Sequence, residues 1–129
     1  MIESILSALY ILHGMRIIHR DVKPENVMMT AGGRTVLVDL GASRILSGSS
    51  RDTVIMGTVG FLPPEQLGLS ESDERADIYS VGVLLNVMMT GRFPIETIPG
   101  GKPGRIIKKC LSITLSQRYQ SAEEMLRAL

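Results

Sequence analysis

Tryptophan is absent from this chain of 129 residues, phenylalanine occurs twice, tyrosine three times, and cysteine once, at Cys110. With so few rings and eight methionines, a core must be built from aliphatic side chains, with methionine filling irregular gaps. A single cysteine excludes an internal disulfide and fits a reducing compartment such as the cytoplasm. The formal net charge is only +1, so there is no basic footprint for nucleic acid. No apolar run is long enough to cross a membrane, and Met1-Ile2-Glu3 lacks the basic start of a secretion signal. Repeats and low-complexity tracts are also missing. A chain of this size makes one domain, residues 1–129, and buries roughly two-thirds of its unfolded surface.

Hydrophobic spacing outlines the elements that are present. Ile2, Ile5, Leu6, Leu9 and Leu12 recur at intervals of three and four, which predicts an amphipathic helix over Ile2 to His13 ending near Gly14. Ile17 and Ile18 predict a very short strand. Val27 to Thr30 and Thr35 to Val38, joined through Ala31-Gly32-Gly33-Arg34, predict a hairpin. Ser43 to Thr58 reads as a long surface loop, a length that is usually functional. After Pro63-Pro64, Glu65 to Leu67 can start a short helix. Asp77 to Thr90 has almost no polar face, so a helix buried all round is expected, closed by Gly91. Ile95 to Gly104 reads as loop and Arg105 to Leu115 as helix. Ser121-Ala122-Glu123-Glu124 is a capping box that opens the last helix.

The chemistry is concentrated in His19-Arg20-Asp21-Val22-Lys23-Pro24-Glu25-Asn26, followed by Asp39-Leu40-Gly41. Pro24 stiffens the loop and pushes Lys23 towards an extended conformation. A carboxylate, an ammonium, an amide and a second carboxylate on loops between short strands suit one task. They can hold a nucleoside triphosphate with Mg²⁺ and take a proton from an incoming hydroxyl.

These residues resemble the H-R-D-x-x-x-x-N catalytic loop and the D-F-G triplet of the protein kinases. Gly57 to Glu65 is similar to that family's G-T-x-x-[YF]-x-A-P-E, with Pro63 in place of Ala, and Asp77 to Gly82 to its D-x-[WY]-S-x-G. The resemblance implies an α+β fold, mainly α. It is the C-terminal lobe of a kinase, with a small hairpin carrying the catalytic loop on one side and Asp39-Leu40-Gly41 on the other. It begins in mid-domain, since the chain holds no glycine-rich phosphate loop, no Val-Ala-Ile-Lys strand and no glutamate of the preceding helix; the N-terminal lobe is absent.

By that resemblance Asp21 is the catalytic base, Lys23 neutralises the γ-phosphate of ATP, and Asn26 and Asp39 hold Mg²⁺. Thr58 bonds Asp21 and Lys23, and Met28 floors the adenine, although Met28 reads equally well as plain core backed by Leu84 and Met88. Leu40 stands where phenylalanine is usual and packs apolar as before. Arg20 would pair with a phosphate on Ser47, Ser49, Ser50 or Thr53. Glu65 would pair with Arg118, and Asp77 would hold the backbone amides of the His19–Arg20 turn. His19 and Cys110 read as packing, and His13 as a helix-end residue.

Lys23, two residues after Asp21, marks the serine/threonine type. The leading expectation is therefore a serine/threonine protein kinase that moves the γ-phosphoryl group of ATP to a protein hydroxyl, with little activity from this chain alone. The alternative is a truncated kinase-like interaction module. It would bind a partner, or itself, through an apolar surface around Leu9, Leu12, Met28 and Leu40. The segment between the central helix and the next is short for the family, which puts peptide docking on that face in doubt.

Overall fold

The computed structural model describes residues 1–45, 58, 60–67 and 72–129. Helix α1 (Ile2–Gly14) buries Ile2, Ile5, Leu6 and Leu9, the stripe that its spacing predicts. Gly14 remains inside the helix, and the left-handed backbone falls two residues later on Arg16, at φ 61°. The chain then forms β1 (Ile17–Ile18), a single 3₁₀ turn at Pro24–Asn26, β2 (Val27–Met29), β3 (Thr35–Leu37) and β4 (Arg44–Ile45).

Two small antiparallel sheets result. The hairpin pairs Val27 with Leu37 and Met28 with Val36, and closes where Gly33, at φ 77°, donates its N–H to the Thr30 carbonyl. Glycine is needed there because a side chain disfavours that conformation. The other sheet pairs β1 with β4, Ile17 opposite Ile45. That pairing is non-local, and no local pattern announces it.

Helix α2 (Pro64–Leu67) starts on Pro64, whose missing N–H costs nothing in a first turn. Helix α3 (Glu74–Thr90) forms the centre. It starts one turn earlier than hydrophobicity predicts because Asp73 caps it, accepting the Arg75 N–H at 2.9 Å. Gly91 ends it at φ 71°, donating to the Val87 carbonyl. The helix is not buried all round. Its first turns carry the core residues Ile78, Val81, Val83 and Leu84, whereas Met88 and Met89 are 45% and 49% exposed, on the side of the last turns away from Asn86 and Val87, which stay packed.

Helix α4 (Gly101–Cys110) corrects a second expectation. The Ile95 to Gly104 stretch is not all loop, since Pro103 is tolerated in the first turn and Gly104 is required there. A Cβ on Gly104 would collide with the Pro99 carbonyl oxygen. The helix ends at Cys110, not Leu115, and Leu115–Gln117 forms a separate 3₁₀ turn. At the α3–α4 crossing a Cβ on Gly82 would strike Cys110 Cβ, so the two backbones meet closely. The Cys110 thiol is fully buried and burial pushes its pKa up to about 12, which makes it packing, as expected.

Helix α5 (Ala122–Ala128) opens on Ser121, whose hydroxyl accepts the Glu124 N–H at 3.0 Å. The Glu124 carboxylate returns to the N–H of Gln120 at 2.7 Å, one residue before the cap. Helices α1, α3 and α5 enclose one aliphatic core, completed by Ile106, Tyr119, Ala122 and Met125. Across it lies the buried Arg118. Its Nη1 donates to Glu65 Oε1 at 2.7 Å and to the Arg75 carbonyl, and its Nη2 to Glu65 Oε2 at 3.3 Å and to the Ser112 carbonyl. Nε donates to the Ser112 carbonyl as well. The pairing with Glu65 is the one that the resemblance implies, and it ties α2 to the C-terminal helices.

Candidate active site

Strand β1 delivers the chain to His19, and α3 receives it. Asp77, wholly buried, accepts the His19 N–H at 2.9 Å on Oδ2 and the Arg20 N–H at 2.8 Å on Oδ1. Those two bonds hold Arg20 at φ 69°, a left-handed conformation that costs an arginine about 1–3 kcal/mol. His19 is buried; its Nε2 lies 3.2 Å from the Val38 carbonyl while Nδ1 accepts the Asp21 N–H at 3.3 Å. The tautomer with the proton on Nε2 satisfies both contacts. His19 is thus a strut between loop and hairpin.

Asp21 follows, with three donors around its carboxylate. Thr58 Oγ1 donates to Oδ1 at 2.8 Å, Asn26 Nδ2 to Oδ2 at 2.9 Å, and Lys23 Nζ stands 3.1 Å from Oδ2. Lys23 also donates to Thr58 Oγ1 at 2.6 Å, so ammonium, hydroxyl and carboxylate form a closed triangle. Burial acts to raise the pKa of Asp21, but the hydrogen bonds from Thr58, Lys23 and Asn26 and the Lys23 charge outweigh it, and the net shift is downward. Lys23 is extended (φ −155°, ψ 166°), as its place before Pro24 requires. The structure therefore brings the remote Thr58 onto Asp21, Lys23 and Asn26 of the loop to form one cluster.

Asp39 reaches the same end of the hairpin by backbone register. Val38 N–H donates to the Asn26 carbonyl at 2.8 Å, extending the β2–β3 ladder to the residue just before Asp39. Asp39 is exposed and left-handed at φ 64°, and its Oδ1 accepts the Gly41 N–H at 2.9 Å. A Cβ at Gly41 would lie 2.9 Å from that oxygen, so a larger residue there would push the Asp39 carboxylate aside. Oxygen atoms suited to a hard cation remain on both residues. Asn26 gives its Nδ2 to Asp21, leaving Oδ1, and Asp39 keeps Oδ2. Among the described residues no group of three or more His, Cys, Asp or Glu could cage a metal ion. Mg²⁺ does not ask for a cage, because it keeps waters and takes one or two protein ligands beside phosphate.

Burial bears on several of the expectations. Met28 is 57% exposed and Leu40 49% exposed, so neither belongs to the core. Of the residues expected behind Met28, Leu84 is buried and Met88 is not. Leu9 lies in the core at 0% exposure and is no part of an open apolar surface; Met28 and its cross-strand partner Val36 are the exposed apolar pair on one face of the hairpin. Arg20 is buried, and Ser47, Ser49, Ser50 and Thr53 lie outside the described residues. Beyond Gly60 an open apolar cavity of about 410 Å³ is walled by Leu62, Tyr79, Val83, Phe93 and Ile95. It occupies the face where the short segment between α3 and α4 runs.

One residue escaped the sequence reading. His13 does not simply end α1, because its Nε2 lies 2.8 Å from Asp77 Oδ2. The signal was available: His13 stands four residues after Leu9 and seven after Leu6, a polar side chain on the buried stripe.

Comparison with known proteins matches residues 1–128 to the family model described as protein kinase domain. Aurora kinase A-B of Xenopus laevis is 38% identical over 96 residues, 74% of this chain and 23% of the relative. Serine/threonine-protein kinase PknL of Mycobacterium tuberculosis is 39% identical over 95 residues, 72% of this chain and 24% of its own length. Serine/threonine-protein kinase D of Synechocystis sp. is 32% identical over 152 residues, covering 99% of this chain and 30% of the relative. The chain thus spans less than a third of the length of these curated relatives. The last alignment is longer than the chain's 129 residues, so that relative has stretches with no counterpart here.

Proposed function

This chain belongs to the protein kinase family, of the serine/threonine type, and from that premise we propose that it forms the larger, mainly helical lobe of such an enzyme. It carries the half of the active site that passes the γ-phosphoryl group of ATP to a serine or threonine hydroxyl of a protein substrate. The observation that supports this best is the set of donors converging on Asp21. They keep its carboxylate ionised and aimed, ready to accept the proton of the attacking hydroxyl as the oxygen–phosphorus bond forms. Positioned acid–base help of this kind contributes about 10²–10⁴-fold.

Lys23 sits where it can offset charge growing on the transferred group. Thr58, bonded to both partners, sets the width of the place an acceptor hydroxyl would occupy. Asn26 Oδ1 and the Asp39 carboxylate would hold Mg²⁺, which would supply positive charge against the charge developing on the phosphates. The exposed Met28 is available to lie under the adenine ring. We place the chain in the cytoplasm, where its buried thiol would stay reduced.

The 129 residues hold no glycine-rich loop to cradle phosphates, so weak nucleotide binding is expected of this chain by itself. Isothermal titration with Mg·ATP should show no tight complex; a micromolar affinity would overturn that expectation. Transfer of labelled phosphate to a generic protein substrate should be slow and should vanish in Asp21→Asn. Transfer that survives Asp21→Asn would remove Asp21 from the role of base.

The exposed apolar side chains of Met28 and Val36, paired across the hairpin, support a second reading, an interaction module that docks a partner or another copy on this hairpin face. Concentration-dependent self-association of the purified chain, weakened by Val36→Lys, would favour it.

A further inference from the structure

A side chain of the central helix fastens the segment between α3 and α4. Asn86, fully buried on α3, donates through Nδ2 to the Arg92 carbonyl at 2.8 Å and to the Thr97 carbonyl at 3.0 Å. The Phe93 carbonyl accepts the N–H groups of Glu96 and Thr97 at 3.0 and 3.3 Å, which folds Arg92 to Thr97 into a closed turn. Asn86 Oδ1 is buried with no hydrogen-bond partner among the described residues. That orphaned oxygen is unfavourable, and a leucine in this apolar run would avoid it. What asparagine adds is a grip on both ends of the turn that carries Phe93.

Phe93 is thereby held against a different part of the chain. Its ring meets Phe61 edge to face, with centroids 5.5 Å apart and planes at 70°, an arrangement that aromatic pairs favour. The tip of the ring lies over Gly60, where a Cβ would come within 3.0 Å of Phe93 Cε1. Gly60 and Phe61 belong to the turn that begins at Thr58, closed by the Phe61 N–H on the Thr58 carbonyl at 3.1 Å. Ser80 of α3 donates its hydroxyl to the Phe61 carbonyl at 2.8 Å. Gly60 and Phe93 both line the open apolar cavity, so loss of the ring would extend open space up to the turn.

We propose that Phe93 is a positioning residue for phosphoryl transfer: fastened to α3 through Asn86, its ring presses on Gly60 and Phe61 and so fixes where the Thr58 hydroxyl meets Asp21 and Lys23. Thr58 Oγ1 donates to Asp21 at 2.8 Å and accepts from Lys23 at 2.6 Å. Both bonds depend on one side-chain rotamer at the head of this turn. In giving that hydroxyl a part in phosphoryl transfer the inference rests on the kinase reading; the contact between Phe93 and the turn does not.

Three-bond couplings to the Thr58 methyl carbon, read by nuclear magnetic resonance on this chain, report whether its side chain keeps one rotamer. In the unaltered chain they should show a single rotamer. In Phe93→Ala they should move to values averaged over rotamers. The Phe61 amide of that variant should exchange about three- to tenfold faster, the range expected for one lost aromatic pair, while the amides of Leu84 and Ile107 hold their rates. Phe93→Met, which refills the space with an unbranched side chain, should restore the single rotamer. Thr58 couplings unmoved by Phe93→Ala, or equal acceleration at all three amides, would overturn the proposal. If Phe93→Ala does not fold, nuclear Overhauser contacts in the unaltered chain decide: a Phe93 ring signal on the Gly60 α-protons supports the clamp, and its absence refutes it. None of these readings needs turnover. A chain inactive in phosphoryl transfer would therefore count against the kinase reading while the Thr58 rotamer still judged Phe93.

Discussion

Glu65→Ala strips the partner from a guanidinium that has no access to water. The Arg118 side chain is 0% exposed and Glu65 only 10%, and the carboxylate takes one hydrogen bond from each Nη, at 2.7 and 3.3 Å. The other donors on Arg118 end on the carbonyls of Ser112 and Arg75, which satisfy hydrogens but carry no full negative charge. Breaking a buried pair by removing one member costs about 3–5 kcal/mol, because the remaining charge is left uncompensated.

A single domain has about 5–15 kcal/mol in total, so the loss is a large part of what holds the chain folded. For a chain of this size each kcal/mol moves the melting temperature by about 3–5 °C, and the variant should melt roughly 10–20 °C lower. Urea titration followed by far-ultraviolet circular dichroism measures the free energy directly. Replacing both members, as in Glu65→Leu with Arg118→Met, should recover most of the loss, because buried pairs add little net stability over an apolar match. A cost below about 1 kcal/mol for Glu65→Ala, the range of exposed pairs, would show that water reaches Arg118 and would refute the reasoning.

Two further outcomes are expected. The Asp21 pKa is lowered in the folded chain, so its stabilising contribution is complete above the ordinary value of 3.8 and is lost as pH falls through the lower folded value. The stability difference between the unaltered chain and Asp21→Asn should stay level from about pH 8 to pH 5 and shrink steadily below that; a difference that changed near neutrality would contradict the depressed value. Gly82→Ala should destabilise by about 1–3 kcal/mol through overpacking. Since the clash is with Cys110 Cβ, adding Cys110→Ala should leave the loss in place while Cys110→Gly should reduce it, and relief by alanine would show the sulfur to be the obstacle.

What the sequence made legible was mostly local. The alternation and β-branching of Val27 to Val38 define the hairpin, and the intervals among Ile5, Leu6 and Leu9 define α1, because both patterns are set by neighbours along the chain. The cluster around Asp21 was legible by resemblance, since Lys23, Asn26 and Thr58 stand at recognisable spacings. Elsewhere physics that a pattern does not carry took over. Asp73 lengthens α3 by a cap hidden in a polar run, and Gly104 lies in a helix because Pro99 leaves room for nothing larger. Met88 belongs to an apolar helix but lies on a face that nothing among the described residues covers, while Asn86 and Val87 beside it are packed. His13 reads as a helix end because its partner, Asp77, is remote in sequence, and burial of a polar group is settled only by what it meets.

The hydrogen bonds of Asp77 to His19 and Arg20 close loops of 58 and 57 residues, and this has a bearing on how the molecule comes to be. Such closures carry an entropic cost that only the finished packing of α3 against α1 can offset. During refolding the hairpin can zip early, on contacts between near neighbours, but the turn ahead of Asp21 has nothing to lean on until the central helix has docked. The arrangement around Asp21 is therefore among the last things the chain acquires, and its recovery is a stricter gauge of refolding than recovery of helix.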